Sequence, residues 1–312
     1  MNPAYSVILF TTASGAGYGL LALLGLVAVM HGPASSFAFA ITTLAIALIL
    51  VTVGLLSSTL HLGRPERFWR AFSQWRSSWL SREGIAAMVT YAVALAFGLV
   101  WSGMTAAPAS LPALGVLVLV MCAVTVFCTG KIYSTLKTIR AWHHPLTVPV
   151  YLAFATATGS GLLMALASAF GRYQTAQAVI FHLAIIAVAI LKVSYWRSVD
   201  GAKRTHTMAA ATGLASKQGE TVRQWELPHT NVNFIQKEMG YAVARRHVAK
   251  LRMLVLVGFL LAMLFSLAAL YVNPLISWLA AASVLLAAWV ERWLFFAEAE
   301  HVVGLYYGAE AA

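Results

Sequence analysis

Charge and cysteine are what this chain has least of. Charged side chains make up 10% of its 312 residues, and Asp and Glu together number 10, whereas soluble domains carry roughly a quarter charged residues. So sparse a set cannot clothe a water-facing surface, which excludes an ordinary soluble globular domain. The two cysteines, Cys122 and Cys128, cannot hold a metal ion or an iron-sulfur cluster by themselves. Both fall inside one apolar run, where small buried side chains pack. Internal repeats and low-complexity tracts are missing too. The first apolar run lacks the basic leader of a signal peptide and is long for its core, so it reads as a retained first helix.

What the chain has in abundance is hydrocarbon, with hydrophobic residues at 61%. Runs of about 20 apolar residues, the length that crosses a bilayer, occur near 6–30, 37–60, 84–102, 110–130, 148–170, 174–195, 252–272 and 275–297. Unpaired backbone groups are intolerable in lipid, and these runs far exceed barrel strands in length. The expected fold is therefore an all-α integral membrane protein, a bundle of eight transmembrane helices.

The net charge of +11 is unevenly spread. Arg64, Arg67, Arg70, Arg76 and Arg82 follow the second run, Lys131, Lys137 and Arg140 follow the fourth, and eleven Lys and Arg lie from Lys192 to Arg252. Connections after odd-numbered runs hold Arg172 alone. This alternation is the positive-inside pattern rather than a nucleic-acid patch. It predicts a multi-pass protein of the cytoplasmic (inner) membrane with both termini and the even-numbered connections in the cytoplasm, in contact with lipid and not with nucleic acid. The chain reads as a single membrane domain over 1–312 with an enlarged cytoplasmic connection at 196–250. Within that connection a helix is expected at about 232–246. Trp225, Phe234 and Tyr241 are costly to leave in water, which favours a docking surface over a solvated tether.

Chemistry concentrates where charge and aromatics interrupt the apolar pattern, from His61-Leu62-Gly63-Arg64-Pro65 to Arg82-Glu83-Gly84. His61 ends the second run and Glu83 opens the third. A protonatable pair at one membrane face could bind a quinone carbonyl and pass it a proton; alternatively, both cap helix ends or face headgroups. The interleaved Arg and Trp suit snorkelling at the interface and also the docking of an acidic partner. Lys131 and Tyr133 close the fourth run on the same face and could reach the headgroup pocket, or Lys131 simply marks the end of the span. His182, deep in the sixth run, is a haem ligand or a hydrogen-bonded packing residue. A bis-histidine haem needs a second deep histidine that the sequence lacks, so no haem is expected. His143 and His144 are adjacent and point apart, a poor metal pair, and no metal site is expected. Glu291 and Arg292, inside the last run, are expected to pair with each other or with the basic connections.

Ser58-Thr59-Leu60-His61-Leu62-Gly63-Arg64-Pro65, with Ser81-Arg82-Glu83 and Lys131-Ile132-Tyr133-Ser134, resembles the membrane anchor subunits of the dimethyl sulfoxide reductase family. The resemblance runs through all eight runs and is strongest from 57 to 84. It implies eight helices, no haem, and exchange of electrons between a quinone (ubiquinone or menaquinone) and an iron-sulfur subunit that serves a molybdopterin catalytic subunit. It carries a quinone-site role onto His61 and Glu83. Pro228-His229-Thr230, Lys237-Glu238-Met239-Gly240 and Ala244-Arg245-Arg246-His247 are similar to the subgroup anchoring cytoplasmic, quinone-linked sulfite dehydrogenase. That similarity implies electrons from sulfite oxidation passing to quinone, with the partners on the cytoplasmic face. On this reading His61 and Glu83 handle protons, Arg64 holds a carbonyl or orients Glu83, and Lys131 and Tyr133 line the pocket.

Three rivals remain open on the residues. The same architecture could oxidise quinol to reduce a sulfoxide. A secondary transporter would show paired repeats and polar midplane sites, whereas the polar groups here gather at one face. A diheme cytochrome would show itself in a reduced-minus-oxidised absorption spectrum.

Overall fold

The computed structural model describes residues 3–60, 64–202, 206–214, 222–226, 231, 233–234, 237, 243–307 and 309. Among these the regular secondary structure is helical, apart from isolated β-bridges such as Ile139 with His301. Eight helices are long and apolar enough to cross a bilayer: α1 (Tyr5–His31), α2 (Phe37–Thr59), α3 (Trp79–Trp101), α4 (Leu111–Ser134), α5 (Thr147–Ala169), α6 (Thr175–Gly201), α7 (Val243–Tyr271) and α8 (Ser277–Ala297). The all-α membrane bundle expected from the apolar runs is what forms.

Several helices outrun their apolar stretches. α3 begins at Trp79, ahead of the expected 84, because Ser78 caps it with its side chain accepting from the Ser81 N–H at 3.5 Å. Arg82 does not end the helix, since its guanidinium bonds the carbonyls of Trp75 at 2.9 Å and Arg76 at 2.6 Å. α6 continues to Gly201, and Val243–Arg246 of the helix expected at 232–246 are helical and continuous with α7. Polar residues propagate a helix as readily as apolar ones, so hydropathy marks only the part immersed in lipid.

α1 and α5 form the centre. α1 packs against α2, α4, α5 and α8, while α5 meets α1, α4, α6 and α8. α5 is the most buried span and among the least apolar; α7, the most apolar, is the most exposed. Lipid rewards side-chain hydrocarbon on outer helices, whereas inner helices approach through small residues. A Cβ on Gly19 would strike the Ala155 carbonyl, and one on Gly25 would come 2.5 Å from the Gly115 carbonyl. Several hydroxyls inside the bundle are satisfied by their own helices, as where Thr43 donates to the Phe39 carbonyl at 2.8 Å and Thr158 to Phe154 at 2.7 Å.

At the end carrying the basic connections, a short 3-10 helix (Pro65–Gln74) folds back against α3. The α4–α5 connection there is pinned by Trp142, whose indole N–H donates to the Phe295 carbonyl at 2.9 Å. Tyr133, Trp142, Tyr151, Phe295 and Phe296 pack as one aromatic cluster at this end. Between α6 and α7 the short helix Met208–Thr212 is described, as are Trp225 and Phe234, which are 91% and 75% exposed.

Candidate functional site

A cavity of about 540 Å³ opens at the basic end between α1, α2, the 3-10 helix, α3 and the ends of α4 and α8. Its walls are mostly apolar, with Phe10, Leu55, Phe72, Leu80 and Met88 among them. Gly84 lets the 3-10 helix lie close on α3, because a Cβ there would come 2.6 Å from the Phe72 ring. Polar groups are few and separate. Glu83 projects from the first turns of α3, is 3% exposed, and accepts a hydrogen bond from the Thr129 hydroxyl of α4. Tyr133, one helical turn beyond Thr129, is also part of the lining. Tyr91 lies two turns beyond Glu83, with its hydroxyl 2.5 Å from Thr52 Oγ1 of α2.

The sequence-derived candidates divide as follows. Glu83 and Tyr133 meet at this cavity. Arg64 is exposed and its carbonyl starts the 3-10 helix, accepting from Arg67 N–H at 3.0 Å; it is not part of the described lining. The Lys131 ammonium lies 5.6 Å from the Phe127 ring centroid and 5.9 Å from that of Trp79, and Lys131 is not part of the described lining. His61 lies outside the described residues, although Thr59, two positions before it, borders the cavity. Sequence reasoning passed over Tyr91 and Thr129. Their signal was helical spacing, since Glu83, Ala87 and Tyr91 stand four apart on one face, as do Thr129 and Tyr133.

A second polar group is buried between α6 and α8. By charge pattern Lys192 belongs with the basic connection after the sixth run, but the structure buries it at 1% exposure inside α6. Its ammonium pairs with Glu291, which also holds Arg292 Nη2 at 2.6 Å. The carboxylate supplies the compensation a buried ammonium requires. Glu291 and Arg292 thus pair with each other as expected, with a third member from α6.

The histidines singled out in the sequence, other than His61, have local partners. His182 Nδ1 is 2.7 Å from the Ala178 carbonyl of its own helix. His143 Nδ1 is 2.6 Å from the Ser134 carbonyl, and His144 Nε2 is 2.9 Å from Ser198 Oγ. Burial, aided by the Lys192 cation, holds the His144 imidazole below its ordinary pKa; burial alone does the same to His301. Among the described residues no group of three or more His, Cys, Asp or Glu could hold a metal ion.

A large apolar chamber with one buried carboxyl and two phenols suits a flat lipophilic ring whose polar atoms accept hydrogen bonds. These residues fit a quinone headgroup: apolar walls for the ring, a carboxyl for proton exchange, and a flank of lipid-facing helices for the tail.

The sequence profile of the family described as "DMSO reductase anchor subunit (DmsC)" matches residues 1–308. A sulfite dehydrogenase subunit of Allochromatium vinosum is 34% identical to this chain, over the full length of both.

Proposed function

The chain belongs to the family of DMSO reductase anchor subunits, and from that premise we propose that it is the quinone-reactive anchor of a sulfite-oxidising molybdoenzyme. As a multi-pass membrane anchor of this family it works with catalytic and electron-transfer subunits. The finer reading is that sulfite is oxidised in a molybdopterin subunit, electrons cross an iron-sulfur subunit docked on the basic face, and quinone is reduced in the cavity beside Glu83. The name of the full-length relative supports sulfite as the electron source. The spread of basic residues supports the inner membrane, with termini and partners in the cytoplasm.

The observation that carries this reading is the meeting of Glu83 and Tyr133 in a mostly apolar cavity of about 540 Å³ at the basic end. A quinone bound there supplies a two-electron, two-proton acceptor. Glu83 is the proton-exchanging group, steadied by the Thr129 hydroxyl. The Tyr133 hydroxyl can donate to a carbonyl oxygen. His61, from the segment following Thr59, is the second proton-handling group, while Arg64 and Lys131, outside the described lining, add positive charge to the same end of the bundle. The apolar walls exclude water from the ring and leave the Glu83 carboxyl and the tyrosine hydroxyls as its polar contacts.

In the assembled complex, Glu83→Gln should lower quinone reduction by about a hundredfold or more, the usual span for a lost acid-base group, while sulfite oxidation with a soluble artificial acceptor persists. His61→Ala should act in the same direction. Quinone turnover in Glu83→Gln equal to that of the unaltered complex would refute the site. The same residues would serve quinol oxidation, and the family's name favours that direction for some members. Comparing sulfite-to-quinone with quinol-to-sulfoxide turnover in one preparation decides between them.

A further inference from the structure

A second polar system lies inside the bundle, and a small cavity lined by both Arg292 and Thr129 separates it from Glu83. Lys192, Glu291 and Arg292 are 1%, 0% and 2% exposed. Two cations and an anion at membrane depth are expensive as packing, and ionisable groups in such positions line ion or proton routes. The Lys192 ammonium contacts Oε1 of Glu291, while Arg292 Nε holds Oε2 at 2.7 Å. On one side Lys192 borders a pocket of about 400 Å³ at the basic end, with Asp200, Arg252 and Glu298 around it. On the other side Arg292 borders a cavity of about 20 Å³ shared with Thr12, Tyr151 and Thr129. A space of that size takes about one water. The Thr12 hydroxyl and Arg292 Nη1 are buried there without a hydrogen-bond partner among the described residues. Tyr151 lies against the guanidinium, its ring centroid 4.1 Å from Arg292 Cζ. A water in this cavity therefore has the several polar partners that hold buried waters in place. Thr129 closes the series, since its hydroxyl also bonds Glu83.

We propose that Lys192, Glu291, Tyr151 and Thr129 form a lateral proton path that resupplies Glu83 from the second pocket. The inference rests on Glu83 being the proton donor to quinone. Electrons come from the partner subunit, two for each quinone, and two protons come from water at the basic face. When Glu83 gives its proton to a quinone oxygen, the carboxylate regains one from the Thr129 hydroxyl. That hydroxyl is refilled through the water beside Tyr151, then from Glu291, which takes the Lys192 proton; Lys192 is reprotonated from bulk water. Transfer from Lys192 to Glu291 leaves the net charge of the cluster unchanged. It neutralises both partners, and the protonated carboxyl reaches the cavity water by turning past Arg292, which holds Oε2 and lines the cavity. Such a route matters because a headgroup and a docked partner together close the direct way from Glu83 to bulk water.

The test uses the assembled complex with its large cavity filled by a hydroxyquinoline N-oxide, a quinone analogue that accepts no electrons. On transfer to deuterated water, exchange of the Glu83 carboxyl proton is followed through its infrared carbonyl band, identified as the band missing in Glu83→Gln. Tyr151→Phe, which removes only a hydroxyl, should slow this exchange about tenfold or more, a fraction of what a relay group contributes. Lys192→Met should slow it as well. With quinone in place of the analogue, Tyr151→Phe should lower turnover at unchanged quinone KM and raise the solvent isotope effect. Exchange in Tyr151→Phe as fast as in the unaltered complex overturns the path, and so does a loss of turnover that comes with a changed KM and an ordinary isotope effect. If Glu83→Gln leaves both analogue binding and quinone turnover intact, the quinone site itself has failed, a result distinct from failure of the path alone.

Discussion

Gly19 of α1 and Gly159 of α5 cross so closely that a Cβ on either would enter the other helix's backbone. Gly19→Val must push the two central helices apart, at a cost of about 3 kcal/mol from overpacking. A marked fall in the thermal midpoint of the detergent-solubilised protein checks this. Gly15→Ala should leave stability within about 1 kcal/mol, since nothing lies within 4 Å of a Cβ there. The buried ion cluster is equally demanding. Glu291→Gln leaves Lys192 and Arg292 enclosed without their carboxylate, and breaking such a pair costs about 3–5 kcal/mol, measurable in the same melting experiment. Glu83 was legible as a site candidate because a carboxyl beside hydrocarbon stands out in a chain so poor in acids. The crossing glycines were not, because a glycine in an apolar run does not reveal which helix it will meet.

The α4–α5 connection illustrates what an element adds. His144 Nδ1 accepts from the Leu146 N–H at 3.2 Å, and its Nε2 sits 2.9 Å from Ser198 Oγ of α6, so the neutral imidazole clips the connection to a neighbouring helix. Its folded pKa is lowered by burial and by the Lys192 cation. As pH falls through the ordinary histidine value of about 6.5, the unfolded chain therefore takes up a proton that the folded chain resists, and stability declines on acidification. The thermal midpoint should drop between neutral and mildly acidic pH, and the drop should shrink in His144→Gln. The adjacent histidines promised no shared metal site on sequence, and each has a separate protein partner. Lys192 escapes a reading at this scale, because hydropathy ends the apolar run near residue 195 and a lysine there looks like part of a loop. Its neutralising carboxylate lies far along the chain in the last helix, where local hydropathy has no view of it.

At the scale of the whole molecule, the basic connections and the exposed Trp225 and Phe234 share one end of the bundle with the large cavity. Large aromatic side chains left in water at the end that also carries the basic charge favour partner docking there. Trp225→Ser combined with Phe234→Ser should release the soluble partners from washed membranes, whereas full retention would remove this surface from the docking interface. Orientation is checked with single thiols: Ser73→Cys should react with a membrane-impermeant reagent only in inverted vesicles, and Thr105→Cys only in intact cells. The opposite pattern would place the basic end outside and with it the proposed meeting of quinone and partner.

The sequence alone determined the number of spans, the helical class and the end of the bundle that carries the basic connections. Hydropathy, charge alternation and the His61–Glu83 segment are local quantities, and lipid acts on each helix separately as it enters the membrane. Tertiary structure decided what depends on helices meeting: the cavity that joins Glu83 to Tyr133, the exclusion of the Lys131 side chain from the described lining, and the capture of Lys192 by Glu291. Those outcomes turn on which small residues let two backbones approach and on which buried charge finds its counter-charge. Both are properties of pairs of helices, and no single stretch of chain contains them.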